Sequence, residues 1–285
     1  MTKVRTISRR DADRLGEGPL WSEAEQALYW VDILGQRLNR YHPASGAHRD
    51  WAMPDTIGWV IERQDGTGFV AGIGGKICLL SLDPFAITPI ATLQPNHPGN
   101  RLNDAKADAA GRIWAGTMPM AGDQPSGSLF RLGWDMRVHE VDRGYCIANG
   151  PAISLDGRWL FHTDSRLGHV YRFPVRDDGS LGKRTLFIAF SKDWGSPDGM
   201  TFDAEGGLWI AHWGAARITC FDAVGVAQRH VDLPASQITS LCFGGRDLDR
   251  LYVTSASDGV TEPLAGQLFE LDAGVRGLPA HRFAG

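Results

Sequence analysis

The chain has 285 residues, 43% of them apolar, and a formal net charge of −4 with both signs mixed along its length. A core of useful size can form, and the lack of a basic face excludes an ordinary nucleic-acid binder. The start, MTKVRTISRRDADR, has no signal-peptide apolar run, and no stretch approaches the roughly 18 apolar residues of a membrane helix, so a cytoplasmic protein with no membrane partner is expected.

In chain order the same unit recurs six times: a strand, a turn (containing Asp and Gly in every copy but the first), then an aromatic-bearing strand. The copies are GPLWSEAEQALYWVDI, GWVIERQDGTGFVAG, AKADAAGRIWAGTM, PAISLDGRWLFHTDS, MTFDAEGGLWIAHWG and SLCFGGRDLDRLYVTSA. The second-strand aromatics are Trp30, Phe69, Trp114, Phe161, Trp209 and Tyr252, spaced 39, 45, 47, 48 and 43 residues apart. Each copy is followed by a third short strand, from RLNRYHP to QLFELDA. Six meanders of this period predict an all-β fold, a six-bladed β-propeller of four-stranded antiparallel blades, with residues 1–285 forming one domain. One meander cannot bury both faces of its sheet, so the aromatics are expected to pack between blades. The ring is expected to close by pairing a strand near KVRTIS with the last blade. The four cysteines, Cys78, Cys146, Cys220 and Cys242, form no C-x-x-C pair and are expected as reduced, buried thiols.

The repeat also serves as a ruler. Counting back 11 to 13 residues from each aromatic reaches Glu17, Ile57, Asn103, Asn149, Asp198 and Thr239. Each would open an innermost strand, so Glu17 and Asp198, 181 positions apart, converge with the residues between them at one mouth of the central channel. Taken singly, Asn103-Asp104, Asn149-Gly150 and Asp198-Gly199 are turn dipeptides. In register, they and Glu17 form an oxygen cluster. Two carboxylates meeting in a narrow channel repel each other, and a divalent cation relieves the repulsion. Carboxylate and amide oxygens suit Ca²⁺, Mg²⁺ or Mn²⁺, and Zn²⁺ or Fe²⁺ also bind carboxylates. No His or Cys holds a ring position, which disfavours a tetrahedral structural zinc site. Gly195-Ser196-Pro197-Asp198-Gly199 is not a nucleophile elbow, because its serine is off-centre. His162 and His212 fit no H-E-x-x-H or triad pattern and read as ordinary hydrogen-bonded histidines.

Gly16-Glu17-Gly18-Pro19-Leu20-Trp21 resembles the opening motif of the gluconolactonase, senescence-marker-protein (regucalcin) and luciferin-regenerating-enzyme family. Arg101-Leu102-Asn103-Asp104 with Asp108 and Gly111 resembles its second motif, and Asn149-Gly150-Pro151 with Asp156-Gly157 and Asp164-Ser165 its third. Pro197-Asp198-Gly199-Met200 with Asp203 and Gly206 resembles the fourth, all in the family's order. The resemblance implies a six-bladed propeller with one divalent metal on its axis, held by Glu17, Asn149 and Asp198. It also implies substrate binding by Arg101 and Asn103, and hydrolysis of sugar (aldono-) lactones of pentoses or hexoses. Asp198 would be the catalytic base, unless a metal-held water supplies the nucleophile itself. Asp104 would support Asn103 or its loop. The chain departs from some animal members after Gly116-Thr117-Met118, where no carboxylate comes before Asp123. Two alternatives stay open: a non-catalytic calcium-binding or regulatory propeller, and a metal-dependent esterase or phosphotriesterase. A monomer or weak homo-oligomer acting on a small molecule is expected.

Overall fold

The computed structural model describes residues 3–9 and 11–285. Strand β1 (Val4–Ile7) is set aside for the last sheet. The first sheet then runs β2 (Gly16–Ser22), β3 (Ala27–Asp32), β4 (Arg37–His42), β5 (Ala47–Ala52). The second runs β6 (Ile57–Glu62), β7 (Phe69–Ile73), β8 (Lys76–Leu82), β9 (Phe85–Thr92), and the third β10 (Asn100–Ala107), β11 (Ile113–Pro119), β12 (Gly127–Leu132), β13 (Val138–Tyr145). The fourth runs β14 (Ala148–Ile153), β15 (Trp159–Asp164), β16 (His169–Pro174), β17 (Thr185–Ala189), and the fifth β18 (Ser196–Phe202), β19 (Leu208–Trp213), β20 (Arg217–Phe221), β21 (Ala227–Asp232). The last is β22 (Ile238–Gly244), β23 (Arg250–Ser255), β24 (Leu268–Leu271) and finally β1. The architecture is a six-bladed β-propeller of four-stranded antiparallel sheets. β1 pairs antiparallel with β24, Val4 opposite Leu271 and Ile7 opposite Leu268, so the ring closes through the chain's early strand as expected. The closure also covers what would be an open sheet edge.

The buried apolar residues form six clusters, one between each pair of neighbouring sheets. The six second-strand aromatics are all buried within them. Trp21 of the first sheet stacks on Tyr252 of the last at 5.6 Å between ring centres, which joins the two ends of the ring by aromatic contact. Trp114 and Trp209 are pinned from below. Asp108 and Asp203, each six residues earlier, accept the indole N–H at 2.8 Å and take two turn N–H groups on their other oxygen. Asp13 holds Trp30 in the same way from outside its own sheet, at 2.9 Å. The Asp-x-x-Gly turns of the sequence are thus anchors for the aromatics above them.

The carboxy-terminal segment crosses one face of the ring. Arg276 O accepts from Ala204 N at 2.8 Å, and Gly277 N donates to Leu248 O at 2.8 Å. Further on, Phe283 N donates to Glu62 O at 2.9 Å and Ala284 N to Gly111 O at 3.1 Å. Ala204, Leu248, Glu62 and Gly111 sit at or beside the turns that follow the inner strands β18, β22, β6 and β10. The strap therefore spans from the fifth and sixth sheets to the second and third, and the buried Phe283 secures its end. Three cysteines are buried, but Cys146 is half-exposed in the loop before β14 rather than in a strand, a correction to the expectation of four buried thiols. No helix among the described residues is long and apolar enough to cross a membrane.

Candidate functional site

All six ring positions fall on the innermost strands β2, β6, β10, β14, β18 and β22, and all are buried. Each of these strands breaks register at that point. The shifts lie between Glu17 and Leu20, Ile57 and Trp59, Leu102 and Ala105, Asn149 and Ala152, Pro197 and Met200, and Ile238 and Leu241. The dipeptides that read as turns are therefore bulges within strands. A bulge turns a side chain out of the alternating pattern and bends the strand, and here it happens six times around one axis. Close approach between inner strands requires glycine at two of the bulges. A Cβ on Gly199 would lie 2.1 Å from Ser240 Oγ, and one on Gly58 would lie 2.8 Å from the carbonyl oxygens of Leu102 and Asn103.

A chain of hydrogen bonds links the third, fourth and fifth sheets around the channel. Arg101 Nη1 donates to Asn103 Oδ1 at 2.5 Å and to Leu102 O at 3.1 Å. Asn103 Nδ2 donates to Asn149 Oδ1 and to Ala148 O, both at 2.8 Å. Asn149 Nδ2 donates to Ser165 Oγ at 3.0 Å, and Ser165 Oγ donates to Pro197 O at 2.6 Å. A carbonyl can only accept, so Ser165 must accept from Asn149, which turns the Asn149 oxygen toward Asn103. Ser165 is thus a site residue that ring counting misses; the Asp164-Ser165 pair after the fourth aromatic was its only trace. Both N–H groups of Asn103 are spent on Asn149 and Ala148, which leaves it a lone pair on Oδ1 for anything else. On the other side, Thr239 Oγ1 donates to Gly16 O at 2.5 Å and ties the sixth sheet to the first.

The charged members are buried. Glu17, Asp198, Asp104 and Arg101 are 4, 4, 1 and 6% exposed, so their charges act in a poorly screened space. Burial, then the charge of Asp104, pushes Glu17 up to about 8. Burial, then Glu17 and Asp104, pushes Asp198 well above the usual carboxylate range. Asp104 rises to about 6, mainly through burial, with Lys106 opposing. Burial lowers Arg101 to about 10, with Glu17 and Asp198 holding it up, so the guanidinium stays charged near neutral pH. Asp198 Oδ1 has no hydrogen-bond donor among the described residues, nor do Asp104 Oδ2 and Arg101 Nε have partners. Asp104 Oδ1 accepts from the next amide, Ala105 N, at 2.7 Å, which fastens the bulge that carries Asn103.

Among the described residues no three His, Cys, Asp or Glu side chains are gathered so as to hold a metal. The oxygen set here counts differently: two carboxylates, Glu17 and Asp198, with the amide oxygen of Asn149. A hard divalent cation suits it, because it would supply the charge that two buried carboxylates lack and a partner for the orphaned Asp198 Oδ1. The histidines lie elsewhere. His162 packs edge-on against Tyr145 at 4.6 Å between the third and fourth sheets. Neither of its ring nitrogens has a hydrogen-bond partner among the described residues, and burial drives it down to about 3, so it is not the hydrogen-bonded histidine expected. His212 Nδ1 does have one, Trp194 O at 2.8 Å.

The family model described as "SMP-30/Gluconolactonase/LRE-like region" matches residues 15–257. Pentonolactonase XacC of Haloferax volcanii is 36% identical, over 99% of this chain and 98% of its own length. A 6-deoxy-6-sulfogluconolactonase of Pseudomonas putida is 33% identical over 97% of both chains. Among solved structures, the calcium-binding protein regucalcin from Agrobacterium tumefaciens superposes with a TM-score of 0.92 at 28% identity, covering 99% of this chain and 98% of that one. With both sequence and fold matching end to end, the chain belongs to the SMP-30/gluconolactonase/LRE-like family.

Proposed function

We propose that the protein hydrolyses sugar lactones to aldonic acids at the ring of Glu17, Asn103, Asn149 and Asp198, with one divalent cation held by Glu17, Asn149 and Asp198. The observation that carries this reading is the pair of buried carboxylates, Glu17 and Asp198, set beside an amide oxygen and a buried arginine in one channel mouth. Two relatives with lactonase names that match nearly the whole chain support the same class of substrate. When bound, the cation would polarise the lactone carbonyl and stabilise negative charge growing on its oxygen.

The chain's own residues supply the rest. Asp198 accepts a proton from the attacking water through a carboxylate lone pair that no donor among the described residues occupies and the cation would leave free. Its high proton affinity in this buried place makes it a stronger base than an exposed carboxylate, and the cation's charge tempers that. Water adds to the carbonyl carbon, the bond to the ring oxygen breaks, and Asp198 returns the proton to that leaving oxygen. Arg101, with Nε unpartnered, offers donors to substrate oxygens. Asn103, its donors spent, contributes an acceptor and holds Asn149 and Arg101 in place. The metal-stripped protein, assayed on aldono-1,4- and 1,5-lactones with Ca²⁺, Mg²⁺, Mn²⁺, Zn²⁺ and Fe²⁺ restored singly, tests the proposal. Turnover restored by at least one cation is expected. Cation binding with no turnover of any lactone would replace it with a binding role.

A further inference from the structure

Lys106 is the charged residue that lactone hydrolysis leaves unused. It stands on β10 beyond the bulge, half-buried, and lines a cavity of about 210 Å³ at the mouth opposite the ring. All six inner strands contribute walls to this cavity, each from residues just past its bulge, so it lies on the propeller axis. Trp59, Met200, Phe202 and Phe243 are among those walls, and the strap supplies Leu278 to His281 on one side. At the rim Leu155 and Leu278 are 47% and 45% exposed. No Asp or Glu lines the cavity among the described residues, and none of them pairs with the Lys106 ammonium.

An ammonium among largely apolar walls, with no carboxylate in ion-pair contact and only the more distant charges of Asp104 and Glu17 acting on it, has lost part of its hydration with incomplete compensation. A single anionic oxygen pair restores it, and the walls then reward an apolar body. We propose that this distal cavity is a second binding site, taking one small apolar carboxylate whose head pairs with Lys106 and whose body lies under the strap. The size suits a compact ligand rather than a drug-sized one. One lysine matches a single negative charge, whereas a phosphate dianion calls for several donors. A sugar acid is matched less well by the same walls, since Ser154, Thr201 and His281 are the few side chains there that could meet its several hydroxyls. The site therefore favours an apolar carboxylate over the product of lactone opening.

Benzoate is the probe, with benzyl alcohol as its uncharged counterpart, and binding is read by NMR on ¹³C-methyl methionine. Met200 lines the cavity, while Met120 lies exposed on the loop after β11 and serves as an internal control. Saturable movement of the Met200 signal with benzoate is expected, with Met120 unmoved and benzyl alcohol at least about tenfold weaker. Lys106→Met should weaken benzoate about tenfold or more, and Leu278→Trp, a change at an exposed position, should fill the cavity and abolish the shift. Failure of Met200 to respond, or an unchanged affinity in both variants, overturns the proposal. So does loss of the Met200 shift in Arg101→Met with Lys106 intact, because the anion would then sit at the ring.

Discussion

The two mouths of the channel are built by the same six strands, and their chemistry is opposite. At one mouth the strands gather Glu17, Asn103, Asn149, Asp198 and Arg101, all buried, with Arg101, Asn103 and Asn149 linked by hydrogen bonds. Two to four residues further along, the strands present Trp59, Met200, Phe202 and Phe243 around a solitary Lys106. Strand alternation cannot produce this change, because it reverses facing at each residue. The bulge can. It adds a residue out of pairing at one level of the ring, so polar side chains enter the axis there, and the regular apolar packing resumes beyond it. A channel site can thus be written into a hydrophobic propeller at the cost of one irregularity per blade.

The largest expected effect lies at the polar mouth. Asp198→Asn should lower kcat on a sugar lactone by about 10³-fold or more. Its far-UV circular dichroism should stay that of the parent, since the amide fills the same space and removes one of two repelling carboxylates. Near-parental turnover would take the base role from Asp198. Next comes Arg101→Met, for which a loss of about 10²-fold in kcat/KM is expected from the missing donors. Steady-state kinetics against the same lactone separates this from a simple loss of stability.

The third effect is thermodynamic and its sign can be worked out. Glu17 lies at about 8 in the fold against 4.5 for the free side chain. Between those values the cation-free fold holds a proton that the unfolded chain has released, so stability falls as pH rises through that window. Melting temperature of the chelator-treated protein should therefore drop between about pH 5 and pH 8. A divalent cation at about a hundred times its Kd should add roughly 2.7 kcal/mol, most usefully at the upper end where the carboxylates are ready to bind it. A melting curve indifferent to both pH and cation would sink the metal reading. The smallest effect belongs to the distal mouth. Lys106→Met should change kcat by about tenfold or less, because the lysine does not touch the reacting atoms and acts on Glu17 and Asp104 only as a through-space charge whose energy falls with distance. A larger loss would join the two mouths into one functional unit.

Much of the ring was readable because it repeats. Trp30, Trp114, Phe161 and Trp209 each lead back a near-constant distance to an oxygen-bearing residue, and equivalent positions in a closed ring must meet. The closing strand could be expected for the same reason. Ser165 could not, since it acts from the far end of a second strand and enters only through its contact with Asn149 and Pro197. His162 misled in the other direction: its neighbours in sequence say nothing of the Tyr145 ring and the close glycine, Gly116, that enclose it.

By itself the sequence determined the blade count and which side chains share the level of the ring, because these depend on a period that local residues carry; the closing strand was an expectation that the β1–β24 pairing decided. Only the tertiary structure decided that the Asp-Gly and Asn-Gly pairs are bulges rather than turns. The backbone of the neighbouring strand makes that choice, as the approach of Ser240 to Gly199 shows. The fold also decided that Asn103 spends its donors on its neighbours and that Asp198 keeps an oxygen free. Those outcomes rest on contacts between strands dozens of residues apart, where geometry rather than residue type settles which lone pair is left.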